Sequence, residues 1–190
     1  MGQRLNIEIV GNGEVLANSY YHWSGYTGSA IGLTLQILDK IDTIDATMPL
    51  LHAAVELLQY TGAGLNRSEK TRVLSEMSGI YDGIQFKDAN SRNEGLLSVT
   101  REGIQDTRCW EEGRVTLDIT NRTINFNVQS VYTKEEFEEY CDDYDFYELP
   151  EITFDCANIQ FDNFTDLESF YDESPDWFRT RDGSCVRWIR

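Results

Sequence analysis

The chain has 190 residues, of which 41% are hydrophobic and 12% aromatic, and it carries a formal net charge of -17 at pH 7. This length and apolar content suffice for one domain with a sizeable core. The sequence has no apolar run of the roughly 18 residues that a membrane span needs, and its negative charge disfavours direct contact with nucleic acid.

The N-terminal residues predict a β-hairpin. Polar and apolar residues alternate over 4–10, and residues 14–23 have the composition of a second strand. Between them, Gly11-Asn12-Gly13 supplies residues that tolerate positive φ, as a tight turn requires. Residues 24–28 should then form a loop that leads to the first helix.

Three helices are predicted in the next part of the chain. Apolar residues recur at helical spacing over 29–41, and a second helix is expected over 48–60. Thr47 is the expected N-cap of this second helix, and Pro49 lies in its predicted first turn. A third helix should begin near residue 68 and end near Gly79.

Residues 79–95 are polar and rich in turn formers, and after them the apolar period changes to two. This pattern predicts a β-meander with a two-residue turn at Asn121-Arg122. Its strands are expected at 97–101, 107–111, 114–120 and 123–132. Consecutive strands joined by hairpins make a mainly antiparallel sheet, so the predicted fold class is α+β.

The C-terminal part should add a few short elements to this sheet. They are a short helix from Thr133, a strand over 152–161, a short helix over 165–171 and a closing strand at 186–189. We therefore expect an α+β core at 1–133 and an acidic, aromatic-rich extension at 134–190. The extension should pack on the core, and together they should form one continuous domain.

Most of the negative charge lies in residues 134–178, which we call the acidic segment. It contains 16 carboxylates and a single cation, Lys134, which gives -15 of the chain's -17. Eleven aromatic residues lie between Phe137 and Trp177. Disordered acidic tails are poor in aromatic residues because they bury nothing, so this composition indicates a folded segment with one apolar and one anionic face.

A fixed array of carboxylates attracts proteins with basic surfaces and can approach the charge density of DNA, about one charge per 1.7 Å of helix axis. Aromatic side chains among the carboxylates would add anchoring contacts. We therefore predict that the acidic segment binds a basic nucleic-acid-binding protein. The residues expected to contact this partner are Glu135, Glu136, Glu138, Glu139, Tyr140, Asp142, Asp143, Tyr144, Asp145 and Tyr147.

In size, acidity and lack of a recognisable catalytic motif, the whole chain resembles small acidic inhibitors that phages encode against bacterial defence, such as anti-CRISPR proteins. The resemblance is one of type and carries no motif, so it assigns no residue a role. It implies an inhibitor, rather than an enzyme, that occupies the nucleic-acid channel of a defence nuclease. It also implies a cytoplasmic location in the host, and the alternating N-terminus lacks the apolar core of a signal peptide.

A small-molecule site is the alternative function. Tyr20-Tyr21-His22-Trp23 ends a predicted strand, and a glycine-containing loop and a helix follow. Amides at the N-terminus of a helix can hold an anion such as a phosphate. The residues of this candidate site are Tyr20, His22, Trp23, Tyr26 and Ser29. The same cluster could instead be an aromatic hairpin that packs on the following helix.

Other interpretations stay open. The acidic segment could serve solubility alone, as acidic surfaces do in halophilic proteins, and the chain could be a structural or assembly component of a virus. No cofactor and no metal are expected, because two histidines and four cysteines without a CxxC pair leave little material for a metal site. His52 is expected to be an ordinary helix-face histidine.

Overall fold

A computed structural model of the chain describes most of its first 128 residues and a short strand near the C-terminus. The residues that it describes are 4–25, 27–41, 43–76, 79–91, 94–109, 111–128 and 184–187. For residues 27, 28, 31, 126–128 and 184–187 it defines the backbone only.

The described residues contain seven strands and four helices. In chain order these are β1 Leu5–Gly11, β2 Glu14–Tyr21, α1 Thr27–Ile41, α2 Leu50–Tyr60, β3 Gly64–Leu65, α3 Arg67–Glu76, β4 Leu96–Ser98, α4 Arg101–Arg108, β5 Gly113–Asp118, β6 Thr123–Val128 and β7 Ser184–Arg187.

The strands form one sheet in the order β3-β4-β2-β1-β5-β6-β7. The pairs β1/β5 and β3/β4 are parallel, whereas β1/β2, β2/β4, β5/β6 and β6/β7 are antiparallel. The α+β class is therefore confirmed, with a mixed sheet. Parallel neighbours need a long connection, and all four helices lie between β1 and β5 in the chain.

The predicted N-terminal hairpin is confirmed. β1 and β2 are antiparallel neighbours, with a register shift after Ile9. Asn12 and Gly13 form the turn at φ values of 54° and 81°, in the left-handed region that these residue types tolerate best. The pairing places Tyr21, at the end of β2, opposite Leu5 at the start of β1.

The three predicted helices are confirmed as α1, α2 and α3, with bounds that differ by a few residues. The start of α2 differs in detail. The Asp45 carboxylate accepts hydrogen bonds from the Thr47 amide at 2.8 Å and the Thr47 hydroxyl at 2.7 Å, so Thr47 belongs to a local turn. Pro49 takes the N-cap position instead, and in the described structure no side chain caps this helix.

The predicted four-stranded meander is wrong because a helix interrupts it. Residues 101–108 form α4, which removes the strand expected over 107–111. Thr100 starts this helix by accepting a hydrogen bond from the Gly103 amide at 3.0 Å. β4 is shorter than the predicted strand and pairs with β2 rather than with the next strand of the chain.

The hairpin between β5 and β6 is confirmed, but its loop is longer than predicted. Asp118 pairs with Thr123, so residues 119–122 lie between the strands instead of Asn121-Arg122 alone. The Asp118 carboxylate stabilises this loop by accepting hydrogen bonds from two of its backbone N–H groups.

One face of the sheet carries the apolar core. Leu5, Ile7 and Ile9 of β1 are completely buried and join side chains of α1 and α2 in a single cluster. Each large aliphatic side chain that is buried in this way contributes about 1.5–3 kcal/mol to stability.

Beyond residue 128 the structure describes only β7, which pairs with β6 and overlaps the predicted closing strand. The other elements predicted there lie outside the described residues, namely the helix from Thr133, the strand at 152–161 and the helix at 165–171. The division into 1–133 and 134–190 stays a prediction. None of the described helices is long and apolar enough to cross a lipid bilayer.

Candidate functional site

The acidic segment lies outside the described residues. All ten residues predicted to contact a partner, from Glu135 to Tyr147, belong to it. Their role therefore stays a prediction. Three features of the described residues are considered as candidate sites. They are an aromatic cluster, a buried polar network and an open groove.

Three of the five residues predicted for a small-molecule site form an aromatic cluster at the end of β2. The Tyr20 hydroxyl is hydrogen-bonded to His22 Nδ1 at 2.8 Å. The His22 ring meets the Trp23 ring edge-on, with the two centroids 4.7 Å apart. Tyr20 is buried whereas Trp23 is 56% exposed, so the cluster presents an aromatic surface to solvent.

Of the other two residues of that predicted site, the structure describes one, Ser29. Ser29 is half-buried in the first turn of α1, and no described contact joins it to the aromatic cluster. Tyr26 lies outside the described residues. The predicted order of strand, loop and helix is observed, but anion binding at this junction stays a prediction.

A buried polar network on the opposite face of β1 was not predicted from the sequence. Asn6 and Glu8 alternate with the core residues of β1, yet they are 0% and 2% exposed. Asn18, on the neighbouring strand β2, is also completely buried. Its amide donates hydrogen bonds to Asn6 Oδ1 at 3.1 Å and to the Thr107 hydroxyl at 2.7 Å. β1 is thus buried on both faces, one apolar and one polar.

An ion pair joins α4 to this network. Arg108 Nε lies 2.5 Å from Glu8 Oε1, and Arg114 Nε lies 3.8 Å from the same oxygen. The hydrogen bond to Glu8 raises the pKa of Arg108 above its usual value, although partial burial opposes this. The pair is separated by 100 residues, so no local sequence pattern reveals it. The ion pair between Glu8 and Arg108 has a structural role, because it fixes α4 against the sheet.

A second buried carboxylate supports the N-terminus of α4. Glu69 of α3 is 1% exposed. Its Oε1 accepts hydrogen bonds from the amides of Val99 and Thr100 at 2.8 Å each, and its Oε2 accepts one from the Thr100 hydroxyl at 3.1 Å. Negative charge at a helix N-terminus is favourable because the free amides and the helix dipole point towards it. Both buried carboxylates therefore hold α4 in place.

The third feature is an open groove of about 480 Å³ between α2 and residues 83–87. Its α2 side includes His52, Val55, Glu56 and Gln59. Buried Gln59 fixes the facing loop, because its amide nitrogen donates to the carbonyl of residue 85 at 2.9 Å and its oxygen accepts from the amide of residue 87. His52, which we expected to be an ordinary helix-face histidine, lines this groove.

In the part of the chain that the structure describes, no three His, Cys, Asp or Glu side chains lie together in a way that could hold a metal ion. No protein-family model matches the chain, and comparisons with curated proteins and with solved structures find no match either. The functional proposals below therefore depend on the charge distribution and on the geometry of the described residues.

Proposed function

We propose that this protein is an inhibitor that binds the basic nucleic-acid-binding surface of a nucleic-acid-processing enzyme, such as a CRISPR effector or another defence nuclease. The observation that carries the proposal is the concentration of -15 of the chain's -17 charges in the acidic segment. Acidity that served solubility alone would be expected over the whole surface rather than in a quarter of the chain.

The charges of the described core support this proposal. Core carboxylates already form ion pairs with Lys40, Lys70, Arg72, Arg108 and Arg114. Residues 1–133 also hold 16 acidic and 11 basic residues, so the core is itself negative. The core therefore adds to the field of the acidic segment rather than neutralising it, which favours an external cationic partner.

The proposed mechanism is occupation of the partner's channel. Carboxylates at high density can replace the phosphates of a nucleic acid in a basic channel, and they contain no phosphodiester bond that a nuclease could cleave. Long-range attraction would make association fast and sensitive to salt. Tyr140, Tyr144 and Tyr147 would add apolar contact area, which gives specificity beyond charge alone.

Two matched variants test the role of the acidic segment. A segment-reversal variant replaces four of its carboxylates with Lys, and a core-reversal variant replaces four exposed carboxylates of the core. Each variant has a net charge of -9, because every reversal adds two positive charges to the -17 of the wild type. The positions are Glu135, Glu138, Asp142 and Asp145 in the first variant, and Glu14, Asp39, Glu76 and Asp82 in the second.

The assay measures retention of partners. Proteins captured from a nuclease-treated lysate at low salt are eluted with a salt gradient and identified, and each one is then challenged with DNA and with RNA. We expect the wild type and the core-reversal variant to retain a nucleic-acid-binding protein that its own nucleic acid displaces. The segment-reversal variant should lose it. Equal retention by the two variants, or a partner indifferent to nucleic acid, would contradict the proposal.

A second candidate function is the binding of a small anion at the junction between β2 and α1. The observation that favours it is the hydrogen bond between Tyr20 and His22, which fixes one imidazole nitrogen just before α1 in the chain. Titration with inorganic phosphate, followed by NMR of the amides of residues 22–29, tests this function. Saturable shifts of these amides would support it, and unchanged spectra would exclude it.

A further inference from the structure

Hydrogen bonds fix one end of the groove between α2 and residues 83–87. At this end Gln59 holds the loop through its amide, and Lys87 Nζ donates a hydrogen bond to Gln59 O at 3.2 Å. At the other end Gly83, at a φ of 82°, lies beside His52, where an added Cβ would be in ordinary van der Waals contact with its Cε1 at 3.4 Å. The volume of about 480 Å³ falls within the range of roughly 300–1,000 Å³ that is typical of small-ligand sites.

The floor of the groove is apolar. Val55 is 1% exposed, and Ile84 and Phe86 are partly buried against the main core. The Phe86 ring packs edge-on against the ring of Tyr81, with the centroids 6.2 Å apart, which restrains its orientation. A ligand in the groove would therefore place an apolar body on a surface that is already ordered.

Two polar groups on the rim, those of Lys87 and His52, can form further hydrogen bonds. A lysine ammonium has three donors, and Lys87 directs one of them to Gln59 O. Among the described residues, the His52 ring has no hydrogen-bond partner. Glu56 also lines the groove, and its Oε1 is paired with Lys40 at 3.0 Å, whereas the described structure shows no ion pair between Glu56 and Lys87.

We propose that this groove binds a small monocarboxylic acid with an apolar body. The carboxylate bonds to the Lys87 ammonium, the apolar body covers Val55, Ile84 and Phe86, and the far end of the ligand reaches His52. His52 and Gln59 are seven residues apart on α2, which corresponds to about 10 Å along the helix axis. An aliphatic chain of medium length spans this distance.

The negative charge of the whole chain does not prevent this binding at physiological salt. Charges separated by more than about 8 Å are largely screened there, so the local Lys87 ammonium dominates over distant carboxylates. The proposed site is independent of the acidic segment and of the inhibitor function, and either one can fail without the other.

Octanoate is the probe for this site, and 1-octanol is its matched ligand without the carboxylate. In NMR titrations at physiological ionic strength, we expect octanoate to shift the amides of residues 52–59 and 83–87 saturably, with an affinity in the roughly millimolar range for so small a ligand. A hydrogen bond to a charged group contributes enough that 1-octanol should bind about tenfold more weakly.

Two Lys→Gln variants locate the carboxylate. Lys87→Gln keeps the backbone bond to Gln59 but removes the charge, so it should weaken octanoate binding about tenfold and leave 1-octanol binding unchanged. Lys70→Gln, at the exposed ion pair with Asp88, removes one charge elsewhere and should leave both affinities unchanged. Both positions are exposed, so folding is not at risk.

A third variant tests the position of the apolar body. Met48→Trp, at the edge of the groove, should block both ligands by filling the space. Three results would overturn the proposal. They are the absence of saturable shifts at 52–59 and 83–87, shifts centred on another part of the chain, and equal octanoate affinities for Lys87→Gln and Lys70→Gln.

Discussion

A Cβ on residue 103 would overlap Glu69 Oε2, so the Glu69 carboxylate fits against the first turn of α4 only because residue 103 is glycine. Elsewhere in a helix, Gly→Ala adds roughly 0.5–1 kcal/mol of stability because glycine loses more backbone entropy on folding. At residue 103 we expect Gly→Ala to destabilise the protein instead. Gly103→Ala should lower the free energy of unfolding by about 2–4 kcal/mol, because it displaces a buried carboxylate from its hydrogen bonds to Val99 and Thr100. Urea denaturation measures this change.

An exposed position of the same helix provides the control. Gln105→Ala should change stability by less than about 0.5 kcal/mol. The double variant Glu69→Ala with Gly103→Ala should be more stable than the sum of the single effects predicts, since the close contact no longer exists. Equal stability of Gly103→Ala and Gln105→Ala would show that Glu69 does not occupy this position in solution.

The ion pair between Glu8 and Arg108 leads to a second prediction. Arg108→Met keeps an unbranched side chain. Among the described cations, it leaves only Arg114, at the longer distance, as an ion-pair partner for the 2% exposed Glu8 carboxylate. We expect a loss of about 2–3 kcal/mol in the free energy of unfolding, because a buried charge without its partner is costly. Glu8→Gln together with Arg108→Met should recover at least about 1 kcal/mol relative to additive behaviour.

The exposed pair between Lys70 and Asp88 is the comparison for this double-mutant cycle. Lys70→Met should lower the free energy of unfolding by no more than about 1 kcal/mol, since water screens the charges of an exposed ion pair. Additive effects of Glu8→Gln and Arg108→Met would mean that the two side chains do not interact, which would contradict the described contact.

Tyr21 should make stability dependent on pH in the alkaline range. Burial raises the pKa of Tyr21 above its usual value, and hydrogen bonds to its hydroxyl offset this only in part. A raised pKa in the folded state gives stability that is fully present below the unfolded pKa of about 10 and is lost as pH rises through the folded pKa. The free energy of unfolding should therefore fall as pH increases above about 10.

Tyr21→Phe separates this effect from those of the other tyrosines. At neutral pH this variant should have a free energy of unfolding about 1 kcal/mol lower than the wild type, because the hydrogen bond to Thr61 is lost. Above about pH 10 the variant should lose less stability than the wild type. Tyr60→Phe, at a 54% exposed position, is the control. Identical pH dependence of the wild type and Tyr21→Phe would show that Tyr21 does not titrate in this way.

The parts of the fold that were predicted correctly depend on patterns among residues that are close together in the sequence. The N-terminal hairpin follows from strict alternation in β1 and a turn at Asn12-Gly13, and α1 and α2 follow from apolar residues at helical spacing. α4 was missed because Ile104 is its only large aliphatic residue, so no apolar stripe distinguishes it from a polar strand or loop. Its stability depends instead on Glu69 and Glu8, which lie far away in the chain.

In the candidate sites, too, only the features that depend on neighbouring residues could be predicted from the sequence. Tyr20, His22 and Trp23 lie close together in the sequence, and their grouping at one place could be predicted. The groove could not, because Gln59 and Lys87 meet only after the loop has docked on α2. Alternation in β1 also could not show that its polar face is buried, since a strand with one face in water has the same pattern.

Salt should stabilise this protein if repulsion within the acidic segment opposes folding. Raising the ionic strength from about 0.01 M to about 0.15 M shortens the Debye length from roughly 30 Å to roughly 8 Å and so weakens repulsion among the carboxylates. If this relieves about 1 kcal/mol, Tm should rise by about 2–4 °C, which differential scanning calorimetry can measure. The segment-reversal variant should show a smaller rise than the core-reversal variant, although both carry the same net charge. Equal rises would mean that net charge, rather than its concentration in residues 134–178, controls the response to salt.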